Sequence, residues 1–468
     1  MTAGSIAVLD IGKTLSKLTL WEVNGALVER RTRRNPQVFH DGWAVLDTAG
    51  IEAWLANTLR DFARLSEVVA IIPVGHGAAA ALVRDGALVV PPLDYEQTLP
   101  RGDYDRQRDD FGFTGSPLLP GGLNVGAQLH ALEAKDGSLF AGATILPWAQ
   151  YWSWRLSGIA ASEVSSLGCH TDLWNPARNA PSALAVRRGW AARLAPIRHA
   201  GDVLGPIAAQ WAERTGLSPK VRIYCGLHDS NAALLAARGF AEIADREATV
   251  LSTGTWFVAM RSPAADSARP SLSPARDCLI NVDVNSRPIP SARWMGGREA
   301  EVLLRIDTRD ADLAADGCAV LEALPRLLRE DLSLLPSFAP GSGPYADRSG
   351  RWCNAEPLDP VLRRAAVQLY LALVTDVSLG LIGTRERLLI EGRFAGSELF
   401  VRALASLRPD LTIYTASAHN DVSYGARRLL MPDLLPPSAL AIVQPLEQDI
   451  SAYRDEWRRA VSRAGFGA

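Results

Sequence analysis

The sequence predicts an α/β protein made of two duplicated domains, and three observations carry that expectation. A chain of 468 residues is longer than one ordinary hydrophobic core serves, so two domains are expected. Apolar runs with a period of two alternate with helical faces along the chain. Lastly, Ser252-Thr253-Gly254-Thr255 repeats in the second half the kind of Gly-Thr turn between apolar strands that Asp10-Ile11-Gly12-Lys13-Thr14 makes in the first.

The elements follow in order. Ile6 to Leu9 is a short β-branched run ending at Asp10, and beyond the glycine turn Leu18 and Leu20 alternate with Lys17 and Thr19, so the opening reads strand, turn, strand. The "GKT" within it is not a P-loop, because Ala7 stands where the first glycine is required and a strand, not a helix, follows the lysine. A third strand is expected at 26–30. Ile51, Trp54, Leu55, Leu59 and Phe62 share one helical face over 51–65, with Asp47 or Thr48 as cap. A core strand follows at 68–74, and the order β-β-β-α-β is that of a mixed sheet, not a simple dinucleotide-binding repeat. Residues 85–124 are rich in Pro, Gly, Asp and Arg and read as long loops, which in compact domains usually carry function. Loop material returns at 215–220, after which "VRIYCG" reads as a strand, "HDSNAALLAARG" as a helix and "ATVLSTGTWFVAM" as two strands around a turn. A last helix is expected at 447–463.

Composition narrows the function classes. Hydrophobic residues make up 48% and charged residues 21%, as in a globular protein. A net charge of −2 gives no reason to expect a polyanion, so no nucleic acid partner is expected. The five cysteines are odd in number, far apart and without a Cys-x-x-Cys pair, and read as reduced core thiols. No uninterrupted apolar run reaches the roughly 18 residues of a membrane span, and no leader pattern opens the chain. A cytoplasmic protein without a membrane partner is the expectation. Only four of the 49 basic residues are lysines, and two of them, Lys13 and Lys17, flank the first glycine turn, where an ammonium serves as a point charge toward phosphate.

Several motifs in fixed order resemble those of the FGGY carbohydrate kinases, over nearly the whole length. They are "DIGKTLSK" at 10–17 as a first phosphate loop, "LPWAQYWSWRLSG" at 146–158, and "GLHDSNAA" at 226–233 as the Gly-x-x-Asp motif. "STGTW" at 252–256 follows as a second phosphate loop, then "PSFAPGSGPYADRSGRW" at 336–352 as the Pro…Gly surface loop, and "IEGRFAGSELF" at 390–400 as the adenosine motif. The resemblance implies two duplicated actin-like (ribonuclease H-like) domains, 1–219 and 220–468, with an ATP and sugar cleft between them. It implies transfer of the γ-phosphoryl group of MgATP to a hydroxyl of a small sugar, with a ketose as the expected acceptor and a polyol or deoxysugar as the alternative. A non-enzymatic nucleotide-dependent sensor on this superfold is the reading of another class; Asp229 and the lack of an added DNA-binding module argue against it.

The same resemblance implies roles for single residues. Asp229 becomes the general base, whose plain alternative is a helix N-cap. Asp10, with Asp229, is placed at Mg²⁺. Gly12, Lys13, Thr14 and Lys17 in the first turn, Gly254 and Thr255 in the second, and Gly297, Gly392, Arg393 and Ser397 fall on the ATP side. Thr253 reads as a strand residue. His76 in "VGHG", Asp94 and Glu96 in "PLDYEQ", Gln150, His228 and Asp229 fall on the sugar side, with Trp148 and Tyr151 as aromatic candidates and the core as their alternative. Arg393 replaces the second glycine of the family's Gly-Gly pair, and must point away from the nucleotide or stack on its purine. Glu299 borders the nucleotide by resemblance and reads by default as an exposed helix glutamate. The family is compatible with a homodimer.

Overall fold

The computed structural model describes residues 4–264, 270–308, 310–354, 359–416, 422–436 and 438–464. It divides into two compact units: Met1–Gly239 with Ile280–Pro288 and Asp421–Leu435, and Phe240–Leu279 with Ile289–Asn420 and Pro436–Ala468.

In the first unit, strand Ser5–Ile11 is buried on both faces, because it pairs antiparallel with Leu15–Glu22 and parallel with Val68–Gly75. Leu15–Glu22 pairs in turn with Leu27–Arg34, an edge strand whose exposed arginines discourage further pairing. Arg222–Tyr224 and Leu227–His228 continue the sheet as parallel neighbours of Val68–Gly75. Helix Thr48–Leu65 covers one face, with Ile51, Leu55, Leu59 and Phe62 in the core and the Asp47 carboxylate capping it by accepting from Gly50 N–H. Helix Val422–Arg428 returns to this unit, where Thr19 Oγ1 donates to Ser423 Oγ at 3.0 Å.

The second unit repeats the plan. Ala248–Thr253 pairs antiparallel with Phe257–Ser262 and parallel with Arg387–Gly392, Phe257–Ser262 pairs with Pro288–Trp294, and Thr412–Ala416 extends the parallel side. Each unit thus has a glycine-turn hairpin, a third antiparallel strand and parallel strands on the opposite flank, which is the expected duplication. Among the described residues, helix Pro360–Leu381 is long and apolar enough to cross a bilayer, but 78% of its apolar window is buried and it forms the middle of the unit's core.

Four expectations are corrected. Residues 220–239 belong to the first unit, not the second, because two of their strands pair with Val68–Gly75; the boundary lies after Gly239 and not at 219. The stretch 85–124 is not all loop: it holds strand Ala87–Val90 and helices Gly102–Gln107 and Phe111–Thr114. It is held by a buried cluster in which Asp172 accepts from Tyr104 Oη and from both Arg108 Nε, at 2.6 Å, and Arg108 Nη2, at 2.8 Å. Cys318 is exposed and Cys353 half-buried, so core thiols are found at Cys169, Cys225 and Cys278. The last helix begins at Ser451 and runs to Ala464.

Candidate active site

The glycine turn of the first unit closes through Gly12 N–H to Leu15 O at 3.1 Å. Asn35 brackets it from outside, its side-chain amide donating to Gly12 O at 2.9 Å and its backbone N–H to Thr14 O at 2.9 Å, which leaves Thr14 exposed at the tip. Asp10 and Lys17 stand opposite each other across the hairpin, with Lys17 Nζ 3.3 Å from Asp10 Oδ2. Such a cross-strand ion pair fixes the direction of both side chains. Lys13 is turned toward two carboxylates expected at the sugar: its Nζ lies 3.2 Å from Asp94 Oδ1 and contacts Glu96, and it sits 4.7 Å above the centre of the Tyr95 ring. A cavity of about 240 Å³ opens here, lined by Gly12, Lys13, Thr14, Asp94, Glu96 and Trp148 among others.

His76 follows the core strand Val68–Gly75. Ala78 N–H donates to its Nδ1 at 3.3 Å, so Nε2 carries the proton of the neutral ring, and this buried N–H has no protein partner. Burial pushes the His76 pKa down to about 4, against the carboxylates of Asp229 and Asp94, which favour its charged form. At neutral pH His76 is therefore an uncharged donor. The ring packs edge-on to Tyr95 at 5.6 Å and against Trp148 at 6.0 Å.

Asp229 opens helix Asp229–Ala237. One carboxylate oxygen, Oδ1, accepts from Ser230 N–H at 2.6 Å and Ser230 Oγ at 3.2 Å, and lies 3.2 Å from His228 Nε2. The side chain is one-third exposed, and Oδ2 accepts from no protein group among the described residues. His228 is buried, which holds its pKa below the usual imidazole range. Its backbone N–H donates to Ser165 Oγ at 3.2 Å, and that hydroxyl donates to the buried Glu163 at 2.6 Å. Neither Glu163 nor Ser165 carries a sequence signal that separates it from an ordinary helix cap.

Gln150 is fully buried and its amide donates to Cys225 O at 3.2 Å and Gly226 O at 3.1 Å, so it pins the turn before Asp229 from behind, with Ser153 Oγ on the same Cys225 carbonyl at 2.8 Å. The donor side of the amide is taken by these carbonyls, while its Oε1 is buried without a hydrogen-bond partner among the described residues. Trp148 and Tyr151 are also buried, stacked parallel at 5.6 Å, with Trp148 Nε1 donating to Ile11 O at 3.2 Å.

In the second unit, Gly254 N–H closes the turn to Trp256 O at 3.0 Å. Helix Gly296–Leu304 starts against this turn so closely that a Cβ on Gly297 would lie 2.0 Å from Gly254 O. Only glycine allows that approach. Gly392 has φ of 85°, and a Cβ there would meet Thr253 O at 2.4 Å. Thr253 is buried, its Oγ1 donating to Glu391 O and accepting from Phe394 N–H, as a strand residue would. Arg393 does not point away from the turn. Its Nη2 donates to Thr255 Oγ1 at 3.2 Å and its Nη1 to Thr308 Oγ1 at 2.8 Å, which sets a guanidinium beside the second glycine turn. Ser397 is buried with its hydroxyl on Leu313 O at 3.4 Å. Glu299 is not exposed: it is buried, accepts from Ser337 Oγ at 2.7 Å and Tyr370 Oη at 2.5 Å, and its pKa is raised by desolvation.

Comparison with known proteins shows the family. Residues 245–437 match the family described as carbohydrate kinase FGGY, C-terminal domain. A carbohydrate kinase from Novosphingobium aromaticivorans is 52% identical, with 99% of this chain and 100% of that one aligned and a TM-score of 0.92. The chain belongs to the FGGY carbohydrate kinases. A xylulose kinase from Rhodospirillum rubrum shares the fold at 18% identity, covering 98% of each chain with a TM-score of 0.78. So does a gluconate kinase from Lactobacillus acidophilus at 16% identity, covering 99% of this chain and 97% of that one with a TM-score of 0.80. A search of curated proteins gave no match. As a carbohydrate kinase, the protein transfers a phosphoryl group from ATP to a small sugar.

For this FGGY kinase the position of Arg393 has a measurable consequence. Arg393→Gly removes a cation from the side of the second turn, and a charged hydrogen bond to phosphate is worth roughly tenfold or more. The Michaelis constant for ATP is expected to rise about tenfold while that for the acceptor stays nearly fixed. The reverse pattern in steady-state kinetics would remove Arg393 from the nucleotide side.

Proposed function

We propose that the kinase phosphorylates a small ketose, such as a pentulose or deoxyhexulose, by in-line transfer with Asp229 as general base. The observation that carries this reading is the state of the Asp229 carboxylate. Oδ1 is held by Ser230 and lies beside His228, while Oδ2 is without a protein donor among the described residues. A sugar hydroxyl is a poor nucleophile while protonated. A carboxylate oxygen at hydrogen-bond distance aligns it and takes its proton as the O–P bond forms and the bond to the ADP oxygen breaks. His76 supports an acceptor role for this region, because its buried, unpartnered N–H suits a hydroxyl or carbonyl oxygen of the sugar. Asp94, Glu96 and His228 complete the polar groups on that side. By resemblance to the family we assign the first glycine turn with Lys13 and Lys17, and separately the second turn with Arg393, to the nucleotide's phosphates.

Among the described residues no group of three or more His, Cys, Asp or Glu side chains could hold a metal ion. Magnesium needs no such group, since Mg²⁺ keeps several waters and takes one or two carboxylates, the nucleotide's phosphates supplying the rest. Asp10, whose direction is fixed by Lys17, is the carboxylate we assign to it, and by resemblance Asp229 stands with it at the ion. Held there, the ion would supply charge neutralisation to the phosphoryl oxygens.

An ATP-consumption panel across ketoses, aldoses and polyols tests the acceptor class. The highest kcat/KM is expected for a ketose. A polyol or aldose favoured tenfold or more over every ketose would overturn that part of the reading.

A further inference from the structure

The second unit contains a cavity of about 990 Å³ that none of the family motifs on the nucleotide side lines. Ser397 caps the start of helix Glu398–Leu407, whereas Leu407, at its other end, borders the cavity. Ten helical residues separate the two by about 15 Å. The cavity is therefore not an extension of the adenosine motif.

Its lining carries Arg276, Arg348, Arg408, Arg454 and Arg458. Asp376, buried at its base, takes up Arg458 at 2.7 Å and lies 3.9 Å from Arg408. Arg408 and Arg454 have further carboxylates in Asp410 and Asp455, at 3.3 and 3.2 Å. Arg276 and Arg348 differ from these three, for neither has a carboxylate partner among the described residues. They flank a single ring, Tyr345, with guanidinium carbons 5.5 and 5.4 Å from its centre. Each is fixed by one backbone carbonyl: Arg276 Nε donates to Pro344 O at 3.1 Å, and Arg348 Nη1 to Val461 O. Tyr345 is itself held edge-on by Trp457 at 6.1 Å. Both residues line the cavity together with Asp347 and with the aliphatic side chains of Val377, Leu381 and Val461.

We propose that this cavity is a second ligand site, taking a small phosphate ester whose phosphate lies between Arg276 and Arg348 and whose carbon body rests on the aliphatic wall. Guanidinium forks match phosphate oxygens in paired, nearly parallel hydrogen bonds. A phosphate monoester brings three terminal oxygens and close to two charges, which answers two forks. A carboxylate brings two oxygens and one charge. The aliphatic wall favours an ester over the bare anion.

Glycerol 3-phosphate is a sufficient probe, used in titration calorimetry at fixed ionic strength with a non-hydrolysable ATP analogue already bound. The wild-type protein is expected to bind it, and more tightly than inorganic phosphate. Arg276→Gln and Arg348→Gln are each expected to weaken binding about tenfold or more, with Tm and the Michaelis constant for ATP unchanged. Arg276→Lys keeps the charge without the fork and guards against a folding defect; it should also bind more weakly. The same affinity in the Gln variants would assign the binding to the catalytic region and overturn the proposal, as would no binding by the wild type at millimolar probe. Equal affinity for inorganic phosphate would overturn the ester.

Discussion

Asp229→Asn is expected to lower turnover by about 10²–10⁴-fold, the usual worth of a positioned general base, while ATP and sugar affinities change far less. The substitution keeps the size of the side chain and an oxygen that accepts from Ser230 N–H at 2.6 Å, so the first turn of helix Asp229–Ala237, whose N-cap position is His228, keeps that contact. It removes the carboxylate oxygen to which we assign the proton. A helix cap and a base make opposite predictions here, because Asn caps about as well as Asp and accepts no proton. Turnover, calorimetric binding and Tm measured on one purified sample separate them. Normal turnover would leave Asp229 a cap, and a large fall in Tm would make it a structural group.

The second large effect is expected at Gly297. Its added Cβ in Gly297→Ala would lie 2.0 Å from Gly254 O, a distance no Cβ tolerates, and the atom it meets is backbone, which cannot swing aside. Either the second glycine turn or the start of helix Gly296–Leu304 must move by about 1 Å, and a displacement of that size at a positioning group costs on the order of 10²-fold in rate. We expect kcat/KM for ATP to fall by about that factor. Gly137→Ala is the control, since a Cβ there meets nothing within 4 Å, and it should leave kinetics and Tm unchanged. Unaltered ATP kinetics in Gly297→Ala would mean that the second turn does not position the nucleotide.

What could be read from the sequence follows the range of the forces involved. The strands around both glycine turns were legible because alternation and β-branching are local, and their similarity pointed to a duplication that the pairing of Ser5–Ile11 and Ala248–Thr253 bears out. Helix Thr48–Leu65 was legible from its apolar face and from Asp47, although it begins a few residues earlier than the periodicity alone requires. The short helices within 85–124 were not legible. Their anchor is Asp172, 64 residues beyond Arg108, and no local pattern announces such a pair. Glu299 was misread for the same reason: its partners Ser337 and Tyr370 lie 38 and 71 residues away. The domain boundary was drawn at a Pro- and Gly-containing stretch, whereas strand pairing to Val68–Gly75 decides where the first unit ends. Gln150 shows the limit of residue type as a guide, since an amide that reads hydroxyls equally well holds backbone carbonyls.

The most direct test of the central claim is phosphorus NMR of the products formed from ATP and the best ketose of the acceptor panel, with wild-type protein and with Asp229→Asn. The account predicts one sugar monophosphate for each ADP with the wild type, and neither product at a comparable rate with the variant. Equal ester formation by the two proteins, or ADP and inorganic phosphate without an ester, would contradict it.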